Sequence, residues 1–127
     1  MRAYRIGDVA KGVERILTMI LIFGGAYQGK LAYAQEQFGE SRKIINELDR
    51  EILKWVQENE DVSEKIAELI KSFPDAVFIC NDISCGVVPT CPTERKWREE
   101  VGRAMGFIAR QSEQVIRLYC GIPTRLM

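Results

Sequence analysis

Gly24-Gly25-Ala26-Tyr27-Gln28-Gly29-Lys30 has the G-x-x-x-x-G-K spacing, and that spacing suits the binding of phosphate. Glycines let a chain curl so that its amide N–H groups point inward. Such a nest holds an anion, and the helix that follows adds the partial positive charge of its N-terminus. Lys30 then reaches the β- and γ-phosphates of a nucleotide as a point charge. One position departs from the pattern. A Ser or Thr after the lysine supplies a hydroxyl to Mg²⁺, and here Leu31 follows. Water can take that ligand place, because Mg²⁺ keeps several of its waters. The competing reading is a tight strand-to-helix turn that binds nothing.

A second chemical position lies further along. Asn81 and Asp82 close the apolar run Ala76 to Cys80. In open α/β sheets ligands sit beyond the carboxyl ends of strands, and phosphate-loop proteins place a carboxylate for Mg²⁺ there. Asp82, with Asn81 beside it, is therefore the candidate ligand for Mg²⁺ or its water, and a candidate catalytic residue with Lys30. A loop aspartate capping neighbouring amides is the equal alternative. Arg95 and Arg98 open a later helix and are candidates for an anionic group of a second substrate, although a solvated face explains them as well. The chain has no histidine. That excludes a histidine general base, a Ser-His triad and a phospho- or nucleotidyl-histidine intermediate for these 127 residues.

The elements that must position these groups follow from the apolar pattern. Met19 to Phe23 is continuous and rich in isoleucine, which predicts a buried parallel strand. Lys30 to Phe38 predicts a helix with Gly39 as C-cap. Ser41 is the expected N-cap of a second helix, with Ile45, Leu48, Ile52 and Val56 as its apolar stripe and Glu47, Arg50, Glu51 and Lys54 on the opposite, charged face. Ser63 is expected to cap a third helix that ends at Pro74. Ala76 to Cys80 and Gln114 to Cys120 predict two more strands, and Thr93 opens a long helix between them. Gly121 to Pro123 is expected to end the regular structure. This alternation predicts parallel crossovers and an α/β layered fold. Met1 to Thr18 is expected to form an N-terminal extension to a nucleotide-binding domain over residues 19–127. Three strands are few for such a sheet, so a further strand hides elsewhere or partners complete the layer.

Composition narrows the function classes. Lys plus Arg and Asp plus Glu both number 18, so no basic excess argues for nucleic acid. No apolar run approaches the roughly 20 residues that span a bilayer, and the first residues lack the pattern of a signal peptide. A cytoplasmic protein is the expectation. Cys80, Cys85, Cys91 and Cys120 are then reduced and mostly packing. Their spacings, with no histidine present, do not suit structural zinc.

Three segments together resemble the bifunctional adenosylcobinamide kinase / adenosylcobinamide-phosphate guanylyltransferase family of cobalamin biosynthesis. The first, Met19 to Phe38, is similar to that family's N-terminal strand, G-G-x-x-x-G-K loop and helix. The second, Ile79 to Pro89, resembles a strand followed by N-E-V-G-x-G-I-V-P, which Asn81, Asp82, Gly86, Val88 and Pro89 match. The third runs from Arg95 to Met127. It resembles R-x-F-R-x-x-x-G-R at Arg95, Trp97, Arg98, Gly102 and Arg103, and G-I-P-x-R-L at Gly121 to Leu126.

The resemblance implies a three-layer P-loop NTPase fold of the RecA-like kind with a reduced, mostly parallel sheet. It also implies that Gly24, Gly25, Ala26, Tyr27, Gln28, Gly29, Lys30 and Leu31 meet the phosphates of ATP or GTP with Mg²⁺. A corrinoid substrate and a homo-oligomer follow from it too. The family carries more chain between its first helix and the second matching strand, including the histidine that it guanylylates, and here two helices fill that interval. Phosphoryl transfer, which needs mainly positioning and charge stabilisation, therefore fits this chain better than guanylyl transfer. The alternative is a non-catalytic homologue retained for nucleotide binding or assembly.

Overall fold

A computed structural model describes residues 18–25, 28–83 and 91–126. Strand β1 (Ile20–Gly24) leads to helix α1 (Lys30–Phe38), and a two-residue strand β2 (Ile44–Ile45) leads to α2 (Leu48–Gln57) and α3 (Val62–Ser72). Strand β3 (Val77–Asn81), helix α4 (Pro92–Gln111) and the hairpin of β4 (Gln114–Tyr119) with β5 (Ile122–Arg125) complete the described chain. The expected extension lies outside the described residues, apart from Thr18.

The sheet order is β2-β3-β1-β4-β5. The first four strands are parallel and β5 runs antiparallel against β4. Strand β1 pairs Ile20 with Val77 and Gly24 with Asn81 on one side, and Ile20 with Gln114 on the other. After β1 the chain moves outward to β2; after β3 it crosses β1 to reach β4. The C-terminal ends of β1 and β3 thus meet where the direction of the winding changes, which is where open α/β sheets leave a crevice.

Alternation along the strands assigns the two faces. Ile20 and Ile22 of β1 join Val77, Ile79 and Ile116 under α1, whose buried contribution is Ala34, flanked by Tyr33 and Phe38. Met19 and Leu21 face the other way, with Phe78, Cys80 and Val115. That face is covered by Leu48, Ile52 and Val56 of α2, Ile66 and Ile70 of α3, and Val101, Ala104, Phe107 and Ile108 of α4. Each such side chain contributes on the order of 1.5–3 kcal/mol when fully buried.

Three expectations are corrected. Ile44 and Ile45 form a strand, not the first turn of a helix from Ser41, because they pair with Val77 and Phe78; tertiary pairing overrides the 3.6-residue stripe they share with Ile52. Helix α3 is capped by Asp61, whose carboxylate accepts from the amides of Ser63 and Glu64, and Ser63 lies inside the helix. Regular structure does not end at Pro123: β5 continues to Arg125. Pro123 is tolerated there because β5 is an edge strand, where a missing N–H is not needed.

Candidate functional site

The backbone at the end of β1 is shaped by two glycines. Gly24 has φ 154°, and a Cβ there would lie 2.3 Å from the carbonyl oxygen of Leu118 on β4. Gly29 is the N-cap of α1 with φ 80° and ψ 24°, a left-handed conformation that glycine adopts without steric cost. Between them, Ala26 and Tyr27 lie outside the described residues. Gln28 holds the loop to the far side of β1, its Oε1 accepting a hydrogen bond from the amide of Cys120.

A cavity of about 280 Å³ opens beside this loop. Gln28, Gly29, Lys30, Leu31 and Ala32 line one wall, and Asn46, Glu47 and Arg50 face them from the junction of β2 and α2. Asn81, at the end of β3, completes the lining. The cavity therefore lies at the carboxyl ends of β1, β2 and β3, between the first turns of α1 and α2. Neither helix brings a side-chain cap: Gly29 and Glu47 are both left-handed N-caps without one. Glu47, at φ 53°, is a non-glycine residue in that region, a conformation with a cost on the order of 1–2 kcal/mol.

Lys30 is only 7% exposed. Its ammonium donates to the Gly25 carbonyl at 2.5 Å, and among the described residues no carboxylate forms an ion pair with it. An ammonium has three N–H donors, so the arrangement leaves donor capacity at the cavity. Burial lowers the lysine pKa from its ordinary value, and the negative charge of Asp49 opposes that fall.

Asp49, 3% exposed, is joined to the cavity wall through Asn81. Its Oδ1 accepts from the main-chain N–H of Asn81 at 3.1 Å and its Oδ2 from the Asn81 Nδ2 at 3.3 Å. Its carbonyl accepts from the indole Nε1 of Trp97 at 2.7 Å. One residue thus ties α2 to the end of β3 and to α4. The neighbouring Cys80 thiol is pushed well above its usual pKa by burial first and by Asp49 second, so it remains a neutral packing group.

The candidates from the sequence fall into groups. Gly24, Gly25, Gln28, Gly29, Lys30 and Leu31 stand together at the loop, and Asn81 joins Lys30 on the cavity wall. Leu31 is exposed at 38%. Asp82 is half-buried, and its amide donates to the Gly24 carbonyl at 2.8 Å, which fixes it at the root of the loop. Arg95 and Arg98 stand on the first turns of α4, and the described lining of the cavity includes neither. Gly86, Val88 and Pro89 lie outside the described residues. No motif in the sequence points to Asn46, Glu47, Asp49 or Arg50 as site residues. Glu47 and Arg50, on the charged face opposite the apolar stripe, are exposed and line the cavity. Asp49 carried a usable signal: it is three residues before Ile52 and seven before Val56, which puts a carboxylate on the buried stripe.

The sequence pattern of the family described as cobinamide kinase / cobinamide phosphate guanyltransferase matches residues 42–126. The match takes in β2 through β5 and begins after the Gly24–Lys30 loop. No curated protein matches the chain. No helix of the described residues is long and apolar enough to cross a membrane.

Proposed function

The chain belongs to the cobinamide kinase / cobinamide phosphate guanyltransferase family, and from that membership we propose that its cavity binds the phosphates of a purine nucleoside triphosphate for phosphoryl transfer. The observation that carries this reading is Lys30. A buried ammonium with one carbonyl partner and no ion pair among the described residues is costly unless an anion joins it. The loop amides and the open first turns of α1 and α2 add partial positive charge on the same side. The switch-point position between β1 and β3 supports a P-loop NTPase fold of the RecA-like kind.

In this reading the amides of the Gly24–Lys30 loop hold the β-phosphate and Lys30 neutralises charge on the transferring phosphoryl group. Mg²⁺ would be held by Asp82, by phosphate oxygens and by water. One carboxylate with several waters suits that ion, and Leu31 offers no oxygen. When bound, the metal would supply charge neutralisation to the phosphates. Asn81 and Arg50 line the same cavity, and an acceptor hydroxyl would approach beside them. A corrinoid alcohol is the acceptor that family membership suggests. Transfer of guanylyl through a histidine adduct does not fit a chain without histidine.

Titration calorimetry with ATP and with GTP, each with and without Mg²⁺, tests the reading. Binding should weaken by about 10–100-fold in Lys30→Ala, the loss of a charge-assisted hydrogen bond or more. Equal affinity in the variant would end the phosphate-loop reading. Leu31 favours a second reading, a homologue that binds nucleotide without catalysis. Binding without turnover of cobinamide in the presence of Mg²⁺ would select it.

A further inference from the structure

We propose that Asn81 offers its side-chain oxygen to the cavity as the hydrogen-bond acceptor for the hydroxyl of an alcohol substrate, an orientation fixed by the carboxylate of Asp49. The inference deepens the reading of the cavity as a triphosphate site and rests on it for the alcohol; the orientation of the amide stands on geometry. The two oxygens of the buried Asp49 carboxylate accept from two donors of one residue. These are the Asn81 main-chain N–H at 3.1 Å and the Asn81 Nδ2 at 3.3 Å. A carboxylate accepts and does not donate. The Asn81 amide therefore keeps its NH₂ end on Asp49. Turned over, it would set Oδ1 against a carboxylate oxygen, two acceptors with no proton between them. The other end of the amide, Oδ1, has no hydrogen-bond partner among the described residues. Asn81 is half-buried and lines the cavity.

The anchor of this amide is itself held. Asp49 stands in the first turn of α2, and its carbonyl accepts from the Trp97 indole of α4 at 2.7 Å. The cavity wall then carries two opposite hydrogen-bond characters. Lys30, with its remaining N–H donors, and the loop amides suit phosphate oxygens. The carbonyl oxygen of Asn81 does not, because the ionised oxygens of a triphosphate accept and have no proton to give. The group that meets Asn81 must bring a proton of its own, as an alcohol O–H does. The other polar side chains of this wall, Asn46, Glu47 and Arg50, are exposed, and among the described residues none of them is tied to a buried partner. An amide is too weak a base to take the hydroxyl proton. Asn81 therefore binds and orients the alcohol, and Asp49 acts only through Asn81.

The ligand-free protein tests the orientation, and an assay tests its use. In ¹⁵N-labelled protein the Asn81 side-chain amide is assigned by its loss in Asn81→Asp. Its Nδ2 protons should exchange with water about tenfold more slowly than those of the exposed Asn46. Equal exchange overturns the proposal, and this measurement needs no variant of Asp49. Asp49→Asn then keeps the shape and inverts the pair. The main-chain N–H of Asn81 cannot turn, so it keeps the oxygen at position 49. The NH₂ group introduced there meets Oδ1 of Asn81, which leaves the Asn81 NH₂ group to the cavity. With ATP and cobinamide as probes, the KM for cobinamide should rise about 10–100-fold, while ATP affinity changes by less than about threefold. Adding Asn81→Asp to Asp49→Asn returns an acceptor to the wall and should lower that KM again. An unchanged KM for cobinamide in a folded Asp49→Asn protein overturns the proposal. An equal loss of ATP affinity does so too, because it makes Asp49 a support of the whole cavity. Wild type that binds ATP and leaves cobinamide unphosphorylated overturns the alcohol. Wild type that binds no ATP ends the triphosphate reading and the alcohol with it, while proton exchange still decides the direction of the amide.

Discussion

Two cations mark the two ends of the parallel sheet, and the protein treats them in opposite ways. Arg42 stands ahead of β2, among the residues that precede the other parallel strands. Its guanidinium donates to the Thr18 carbonyl before β1, to the Asp75 carbonyl before β3 at 3.1 Å, and to Glu113 before β4 at 3.1 Å. A planar fork with five donors suits that task. Lys30 stands at the other end, after β1, with a single carbonyl partner among the described residues. The stapled cation closes a structure, while the under-partnered one keeps donors that, in the proposed reading, a ligand would take. The comparison teaches how to tell a structural charge from a functional one: by what remains to be satisfied, not by burial alone.

The largest effect that bears on this comparison comes from the frame of the open end. The openness of that end belongs to its side chains and not to its backbone. Gly24→Ala would put a Cβ 2.3 Å from the Leu118 carbonyl oxygen, at a φ of 154°. Neither β1 nor β4 can yield without disturbing the paired core, so a loss of about 3 kcal/mol is expected. Urea denaturation measures it. A loss below about 1 kcal/mol would mean that the end of β1 is pliable, and the comparison would then be between a rigid end and a loose one.

The next effect sets the two cations against each other. Arg42→Ala should cost about 2 kcal/mol, since it leaves two carbonyls and Glu113 without their donor, and it should leave triphosphate affinity unchanged. Lys30→Met should do the reverse, weakening affinity by about 10–100-fold without lowering stability. The pH dependence follows from the direction of the shift. Burial lowers the folded-state pKa of Lys30 below 10.5. The unfolded chain therefore binds the proton more strongly, and the wild type carries the full penalty at pH values below the folded pKa. Between that pKa and 10.5 the wild type gains stability as pH rises. Thermal denaturation at neutral and alkaline pH should show any advantage of Lys30→Met shrinking across this window. A variant less stable than wild type at neutral pH would show that Lys30 is itself a staple.

Much of this architecture was legible because burial on both faces leaves an unmistakable pattern. The runs at Ile20 and Val77 are strands because central parallel strands in a layered fold are apolar on both faces, and the run at Val115, nearer the edge, is apolar at Val115, Ile116 and Leu118. The spacing of the glycines and Lys30 marked a loop between a strand and a helix, and Gly29 does start α1 in a left-handed conformation. Strand β2 was not, because two residues give no period, and Ile44 and Ile45 are in strand geometry only through their pairing with Val77 and Phe78. Strand β5 was hidden by Gly121 and Pro123, which read as a chain ending its regular structure. Part of the site was equally out of reach. Glu47 and Arg50 alternate with apolar residues as on any amphipathic helix, and only the position of β2 turns them toward Lys30. The identity of the N-cap of α3 was decided by geometry: Asp61 and Ser63 are both good caps, and only Asp61 has the extended backbone a cap needs.

The smallest effects concern the starts of helices, where the same contrast recurs. Asp61 closes α3 with hydrogen bonds of 3.0 and 3.4 Å to the amides of Ser63 and Glu64. Asp61→Ala should therefore cost about 1 kcal/mol. Glu47 starts α2 at φ 53° and ψ 48° with no side-chain cap, and it lines the cavity. Glu47→Gly should stabilise, because relief of a left-handed residue, on the order of 1–2 kcal/mol, exceeds the roughly 0.4–1 kcal/mol that glycine adds to the entropy of the unfolded chain. The net gain is about 0.5 kcal/mol, small enough that paired denaturation curves are needed. Its value lies in the sign. A helix start built for stability loses when its first residue is changed, and one that holds strain at a binding site gains. If Glu47→Gly instead destabilises by as much as Asp61→Ala, the left-handed residue is part of the fold's own support, and the first turn of α2 belongs with Arg42 rather than with Lys30.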